Sequence, residues 1–199
     1  MMKLENVTHA YDGHVILQNL SYIFPESGIV ALMGASGVGK TTLLRLMCGL
    51  EKPQSGKIVN HYEKVAVSFQ EPRLVPWLTV KENVDFVLDD AQKESGITQR
   101  LLEAMELSDV ANALPDTLSG GMKQRTSLAR ALATGADLLL LDEPFSALDD
   151  ALKARVIALV REANKDGLTL VITHDEKEAE ALGASVLTLT GSPVKNLMS

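Results

Sequence analysis

Eight consecutive residues, Gly34-Ala35-Ser36-Gly37-Val38-Gly39-Lys40-Thr41, constrain this chain more than any other feature. They fit the pattern G-x-x-x-x-G-K-[ST]. An apolar, β-branched stretch at residues 29–33 precedes them, and a helical pattern at 40–48, stopped by Gly49, follows. A strand-loop-helix unit explains the composition. Glycines let successive backbone N–H groups turn inward, and the start of a helix adds a field that favours an anion. The loop is a mould for phosphates. In it Lys40 would reach the β- and γ-phosphates of a nucleotide, and the Thr41 hydroxyl would join the coordination of Mg²⁺, which prefers hard oxygen ligands. The candidate nucleotide contacts are Gly34, Ser36, Gly37, Gly39, Lys40, Thr41 and Thr42.

Three further apolar runs, at residues 65–69, 138–141 and 168–173, join 29–33 as strands of a sheet covered on both faces, since a half-exposed strand would alternate. The helical patterns between them predict βαβ units and parallel pairing. Residues 3–7 and 15–24 do alternate, which predicts antiparallel strands in a smaller sheet in front, and 185–190 predict a final strand. Thr79 with Glu82 three residues on predicts a capping box opening a helix at about 80–88. Other helices are predicted at 98–105 and at 121–134, the latter behind Ser119 as N-cap and ended by Gly135. The expected fold class is α/β: a P-loop NTPase with a mostly parallel central sheet, an N-terminal antiparallel β subdomain and an inserted α-helical lobe. One domain over 1–199 is expected, its catalytic core from 1–77 and 119–199 and its helical lobe from about 78–118.

Asp142 and Glu143 follow the apolar run 138–141 directly, where an unpaired carboxylate would be costly, so they need a function. Asp142 suits Mg²⁺, held directly or through water. Glu143 suits a general base that polarises the water attacking the γ-phosphate. Gln70 and His174 follow their strands in the same way as Lys40 and Glu143 follow theirs. In open parallel sheets ligands bind beyond the carboxyl ends of strands, so four strands delivering polar residues to one edge describe one site. The candidate catalytic residues are Glu143, His174, Lys40 and Gln70, and the candidate metal ligands Thr41, Gln70 and Asp142.

Leu118-Ser119-Gly120-Gly121-Met122 forms a second anion-binding helix start, for which a single chain has no evident second phosphate. With this motif the sequence resembles the nucleotide-binding subunit of ABC transporters over nearly its whole length. Tyr11, the phosphate loop, Gln70, residues 118–122, Asp142-Glu143, Ser146-Ala147-Leu148-Asp149 and His174 stand in the order of that family. The resemblance implies that Tyr11 stacks on adenine, that His174 meets the γ-phosphate, and that Gln70 meets Mg²⁺ and the attacking water. It assigns 146–149 to communication across a dimer. It also implies an ATP-bound homodimer closing head to tail, so that Ser119, Gly120 and Gly121 reach the ATP of the partner subunit. ATP and Mg²⁺ are the implied cofactors, and integral membrane permease subunits and a separate solute-binding protein the implied partners. Met122 and the stretch 70–77 resemble importer subunits of the nitrate, sulfonate and taurine group. Typical relatives continue past the point where this chain ends at Ser199, so no C-terminal regulatory domain is expected.

Composition sets outer limits. A formal net charge of -7 argues against nucleic acid as a partner. No apolar run approaches the roughly 20 residues that span a bilayer, and the start lacks the apolar core of a secretory signal, so a membrane role would run through a partner. The expected location is cytoplasmic, peripheral on the inner face of the cell membrane. A rival reading is a soluble ABC-type ATPase acting on a macromolecular assembly. Those relatives carry paired cassettes, coiled coils or basic arms, none of which is evident. Cys48, the only cysteine, sits in an apolar run and reads as a buried structural thiol, and no disulfide framework is possible.

Overall fold

In the computed structural model, which describes residues 1–198, the chain opens with a long antiparallel pair, β1 (Met2–Tyr11) and β2 (His14–Ile23). Met2, Leu4, Val7, Leu17 and Leu20 of this pair point inward and are buried, as the alternation requires. Strand β3 (Gly28–Met33) then runs through the glycine loop into helix α1 (Lys40–Met47). Strand β4 (Ser55–Asn60) returns to pair with β1, and β5 (Val65–Ser68) begins the parallel array. A helical segment follows: α2 (Val80–Asp85), α3 (Asp90–Glu94), α4 (Ile97–Ala104) and two short 3₁₀ turns at Ser108–Val110 and Pro115–Thr117. After it come α5 (Gly120–Ala133), β6 (Leu138–Asp142), α6 (Asp150–Ala163), β7 (Leu168–Ile172), α7 (Glu176–Leu182), β8 (Ser185–Gly191) and β9 (Val194–Met198).

The strands form one sheet in the order β4-β1-β2-β9-β8-β3-β7-β6-β5. Pairs β3–β7, β3–β8, β5–β6, β6–β7 and β2–β9 are parallel, while β1–β2, β1–β4 and β8–β9 are antiparallel. The expected α/β architecture with a mostly parallel centre is therefore present. The expectation of a separate smaller sheet in front is corrected. Strand β9 folds back on β8 and offers its outer edge to β2 at Leu17 and Val194, so the antiparallel strands are joined edge to edge with the parallel ones. Strands β4 and β9 have no strong apolar pattern and were not expected.

Strand β6 shows why its sequence is apolar without a break. Leu138 and Leu140 face α1 and β3, while Leu139 and Leu141 face α5 and α6, and all four are buried. Two cores thus share one strand, each leucine contributing about 1.5–3 kcal/mol of hydrophobic burial.

The helix boundaries follow local chemistry. Thr79 and Glu82 make the expected capping box on α2, and Asp89 and Gln92 make another on α3. Ser119 caps α5 by accepting from the Met122 N–H, and Gly135 beyond its end has φ +60°. Helix α2 is shorter than expected, and Asp85 at its end pairs with Lys81 one turn back in the helix and accepts from the Thr98 hydroxyl of α4 at 2.6 Å. Asn83, fully buried, holds the preceding loop. Its Oδ1 accepts from the Val75 N–H at 2.8 Å, and its amide donates to the carbonyls of Val75, Leu78 and Thr79. Asn83→Ala would leave the Val75 N–H and the Leu78 carbonyl without these part-buried partners, while the Val75 and Thr79 carbonyls keep backbone donors, and would open a gap in a fully buried position. Urea titration should show unfolding free energy lower by about 2–4 kcal/mol with an unchanged slope.

Candidate functional site

Strands β3, β7, β6 and β5 lie side by side and parallel, so their carboxyl ends form one edge. At that edge Lys40, Asp142, Glu143, Gln70 and His174 emerge from four different strand ends. An open cleft of about 380 Å³ there is lined by Tyr11, Ile16, Ser36, Gly37, Gly39, Lys40, Thr41, Thr42, Gln70, Asp142 and Glu143. A cavity of similar size, about 420 Å³, opens at the opposite edge around Tyr62, Asp137 and Asn164, but gathers no comparable set of phosphate- and metal-binding groups.

The glycine loop takes its shape for reasons visible in its surroundings. Gly34 and Gly39 have φ of +143° and +115°. A Cβ at Gly34 would come within 2.6 Å of the Leu189 carbonyl oxygen on β8, so side chains are excluded there by the fold rather than by a ligand. Lys40 opens α1 and donates from Nζ to the carbonyls of Gly34 and Ala35 at 2.8 and 3.0 Å, which stretches its side chain back across the loop. One residue on, the Thr41 hydroxyl donates to Asp142 Oδ2 at 2.8 Å. Asp142 is 3% exposed. Burial pushes its carboxyl above the usual range; the Thr41 hydrogen bond opposes the shift and the Glu143 carboxylate adds to it. A hydroxyl and a buried carboxylate meeting beside phosphate-binding amides are hard oxygen donors that fit Mg²⁺, an ion usually held by one or two protein oxygens together with phosphates and water.

Glu143 has φ +48°, unusual for a residue with a side chain and of a kind that costs on the order of 1–3 kcal/mol. Four contacts hold it there. Its N–H donates to the Ile172 carbonyl at 3.0 Å, and its own carbonyl accepts from Gln124 Nε2 at 3.0 Å and from the Ser146 hydroxyl at 3.1 Å. Its carboxylate accepts a long hydrogen bond, 3.4 Å, from Gln70 Nε2. His174 stands at the rim, with 73% of its side chain exposed and Nδ1 3.7 Å from Glu143 Oε1, too far for a hydrogen bond. Its turn is fixed by Thr173, whose hydroxyl donates to the buried Glu178 at 2.5 Å.

Tyr11 borders the cleft at the end of β1, and burial, followed by the neighbouring Glu51 carboxylate, pushes its hydroxyl above the usual range. Ser119 and Gly120 are solvent-exposed at the start of α5 and contribute nothing to the cleft of their own chain. Gly121 faces Ala147 instead, where an added Cβ would meet both its side chain and its carbonyl oxygen at 3.7 Å. Asp149 caps α6 by accepting from the Leu152 N–H. Cys48 is half-buried rather than buried, its thiol is pushed up by burial, and its Sγ donates to the Arg45 carbonyl. Sequence reasoning missed Gln124, which lies one turn beyond Gly120 on the same helix face and so carried a readable spacing signal. It also missed Glu51, which carried none.

Comparison with known proteins places these features in context. A family model described as ABC transporter matches residues 17–146. The aliphatic sulfonates import ATP-binding protein SsuB 2 of Pseudomonas syringae pv. tomato is 42% identical over 186 residues, 92% of this chain and 80% of that protein. The aliphatic sulfonates import ATP-binding protein SsuB of Granulibacter bethesdensis is 43% identical over 192 residues, 95% and 79% of the two chains. Among solved structures, the ATP-binding cassette MJ0796, in a dimeric post-hydrolysis state bound to ADP and Pi, superposes with a TM-score of 0.87 at 28% identity, covering 100% of this chain and 98% of that one.

In metal-free buffer, Asp142→Asn is expected to raise the thermal midpoint at neutral pH. Native Asp142 keeps its proton to a higher pH than the unfolded chain does, so its ionisation costs native stability, and an amide escapes that cost. The gain should be full above the raised native pKa, shrink as pH falls through it and vanish below the usual carboxylate range. Thermal melts from about pH 3 to about pH 8 check it, and an unchanged neutral midpoint would remove burial as the cause.

Proposed function

The chain belongs to the ABC transporter family, and from that premise we propose that it is the ATP-hydrolysing subunit of an importer, working as a homodimer beneath membrane permease subunits. One observation carries the reading. Lys40, Thr41, Asp142, Glu143, Gln70 and His174 converge at one sheet edge, while Ser119 and Gly120, a second anion-binding helix start, face solvent away from it. A head-to-tail pair gives each cleft the missing end from the other chain.

Within each cleft the loop amides and Lys40 hold the triphosphate, and Tyr11 faces the adenine. Thr41 and Asp142 would hold Mg²⁺, which when bound would supply positive charge against the phosphates. Glu143 takes the proton of the attacking water, a role typically worth 10²–10⁴ in rate. Its strained backbone fixes the carboxylate, with Gln70 on one oxygen and His174 beside the other. Gln70 also begins the segment leading to the helical lobe, and Arg130 of α5 donates to the Arg73 carbonyl of that segment at 2.8 Å. Movement at the γ-phosphate therefore has a short mechanical route to the lobe.

Trp77, just before the lobe, and Phe86, at the end of α2, are 76% and 69% exposed. Such apolar exposure suits a permease contact. No helix among the described residues is long and apolar enough to cross a membrane, consistent with attachment through partners. The relatives named for aliphatic sulfonate import suggest that solute class, delivered by a separate solute-binding protein.

Glu143→Gln should bind ATP but lose hydrolysis by about 10²-fold or more, and accumulate as an ATP-bound dimer. Ser119→Arg should also be inactive, through its partner's cleft. Mixing the two inactive variants before adding ATP creates heterodimers with one intact composite site, so phosphate release should reappear. No recovery at any ratio would argue against pairing. For the transport role, the complex purified with its permease and binding protein should hydrolyse ATP severalfold faster when an aliphatic sulfonate is added. Stimulation by nitrate alone would reassign the solute.

A further inference from the structure

Beside the cleft, a polar cluster joins Tyr11 to Glu51, His9 and Arg45, three groups that take no part in the steps above. The Tyr11 hydroxyl donates to Glu51 Oε2, and the same oxygen lies 3.1 Å from His9 Nε2. The other oxygen, Oε1, lies 3.5 Å from Arg45 Nη1. The His9 ring, 7% exposed, meets the Tyr11 ring edge-on with centroids 4.9 Å apart. Neither His9 nitrogen finds a well-aligned hydrogen bond, so Glu51 is the polar group that faces it.

Glu51 is itself fixed to α1. The N–H groups of Leu50 and Glu51 both donate to the Arg45 carbonyl, at 3.0 and 3.3 Å. Gln54, three residues on, ties the segment to β1 through the Thr8 and Ala10 carbonyls at 2.9 and 3.1 Å. Helix α1 thus carries Lys40 and Thr41 at its start and, through Arg45, the support of Tyr11 at its end. Five residues separate Lys40 from Arg45, a rise of about 7.5 Å along the helix. As a stability device the cluster is weak, because the Arg45–Glu51 pair is partly exposed and such pairs contribute little. Its geometry suits another task. A phenol ring left free at 37% exposure would have to be ordered whenever a base docked on it.

We propose that Glu51 is a positioning residue for nucleotide-base recognition: by accepting from Tyr11 while anchored on α1, it holds the aromatic platform at a set distance from the phosphate loop. This rests on the reading that Tyr11 faces the adenine. The experiment compares binding of ATP and of inorganic tripolyphosphate, which has no base, by calorimetry on the intact chain and its variants. Glu51→Ala and Tyr11→Phe should each weaken ATP about fivefold to tenfold, and the double variant no further, because both break one hydrogen bond. Glu51→Gln, which keeps an acceptor, should recover most of the affinity. Tripolyphosphate binding should be unchanged throughout. Equal weakening of ATP and tripolyphosphate by Glu51→Ala would mean that Glu51 merely braces α1, and would overturn the proposal. If Tyr11→Ala weakens ATP while Glu51→Ala does not, positioning by Glu51 fails and the base reading stands. If Tyr11→Ala leaves ATP binding untouched, the base reading fails and the proposal goes with it.

Discussion

The hydrogen bond from Thr41 to Asp142 closes the molecule on itself. It joins residues 101 positions apart, one at the start of α1 and one at the end of β6. It can form only if β3, β7 and β6 are parallel, adjacent and in register, because each strand delivers its residue at the same end. Everything at the cleft inherits that alignment. Asp142 is buried because β6 is central, its carboxyl resists ionisation because it is buried, and Thr41 is the group that compensates it. The energetic strain of the site and its chemistry have the same origin in the sheet.

Much of this was legible in the chain because the signals were local. The glycine loop needs only eight contiguous residues, the Thr79–Glu82 capping box only a spacing of three, and the buried strands only continuous apolarity. The Asp89–Gln92 box was equally local and was overlooked. What could not be read depended on partners distant in sequence. Strand β9 has too few apolar residues to declare itself, and its place between β8 and β2 turns an expected pair of sheets into one. Glu51 is an ordinary acid after a helix until folding brings Tyr11, forty residues earlier, to its carboxylate. The tie from Thr98 of α4 to Asp85 at the end of α2 likewise joins two helices that no local pattern connects.

Glu143 belongs to both classes. Its position after an apolar strand marked it as functional, but its left-handed backbone was invisible, since nothing in Asp142-Glu143-Pro144 requires it. The conformation is imposed by β7 through the Ile172 carbonyl and by Gln124 and Ser146 from the opposite side. Gln124 stands on the helix that Ser119 caps, so the solvent-facing end of α5 and the backbone of Glu143 are parts of one rigid arrangement.

The exposed start of α5 has a consequence for economy in the cell. On the proposed pairing, a lone copy holds half of each of two working sites, so it would grip nucleotide without consuming it until a second copy met it. Waste is then limited by geometry, with no inhibitor needed. On that pairing hydrolysis becomes a property of assembly, and the exposed Ser119 and Gly120 would serve only another copy's site.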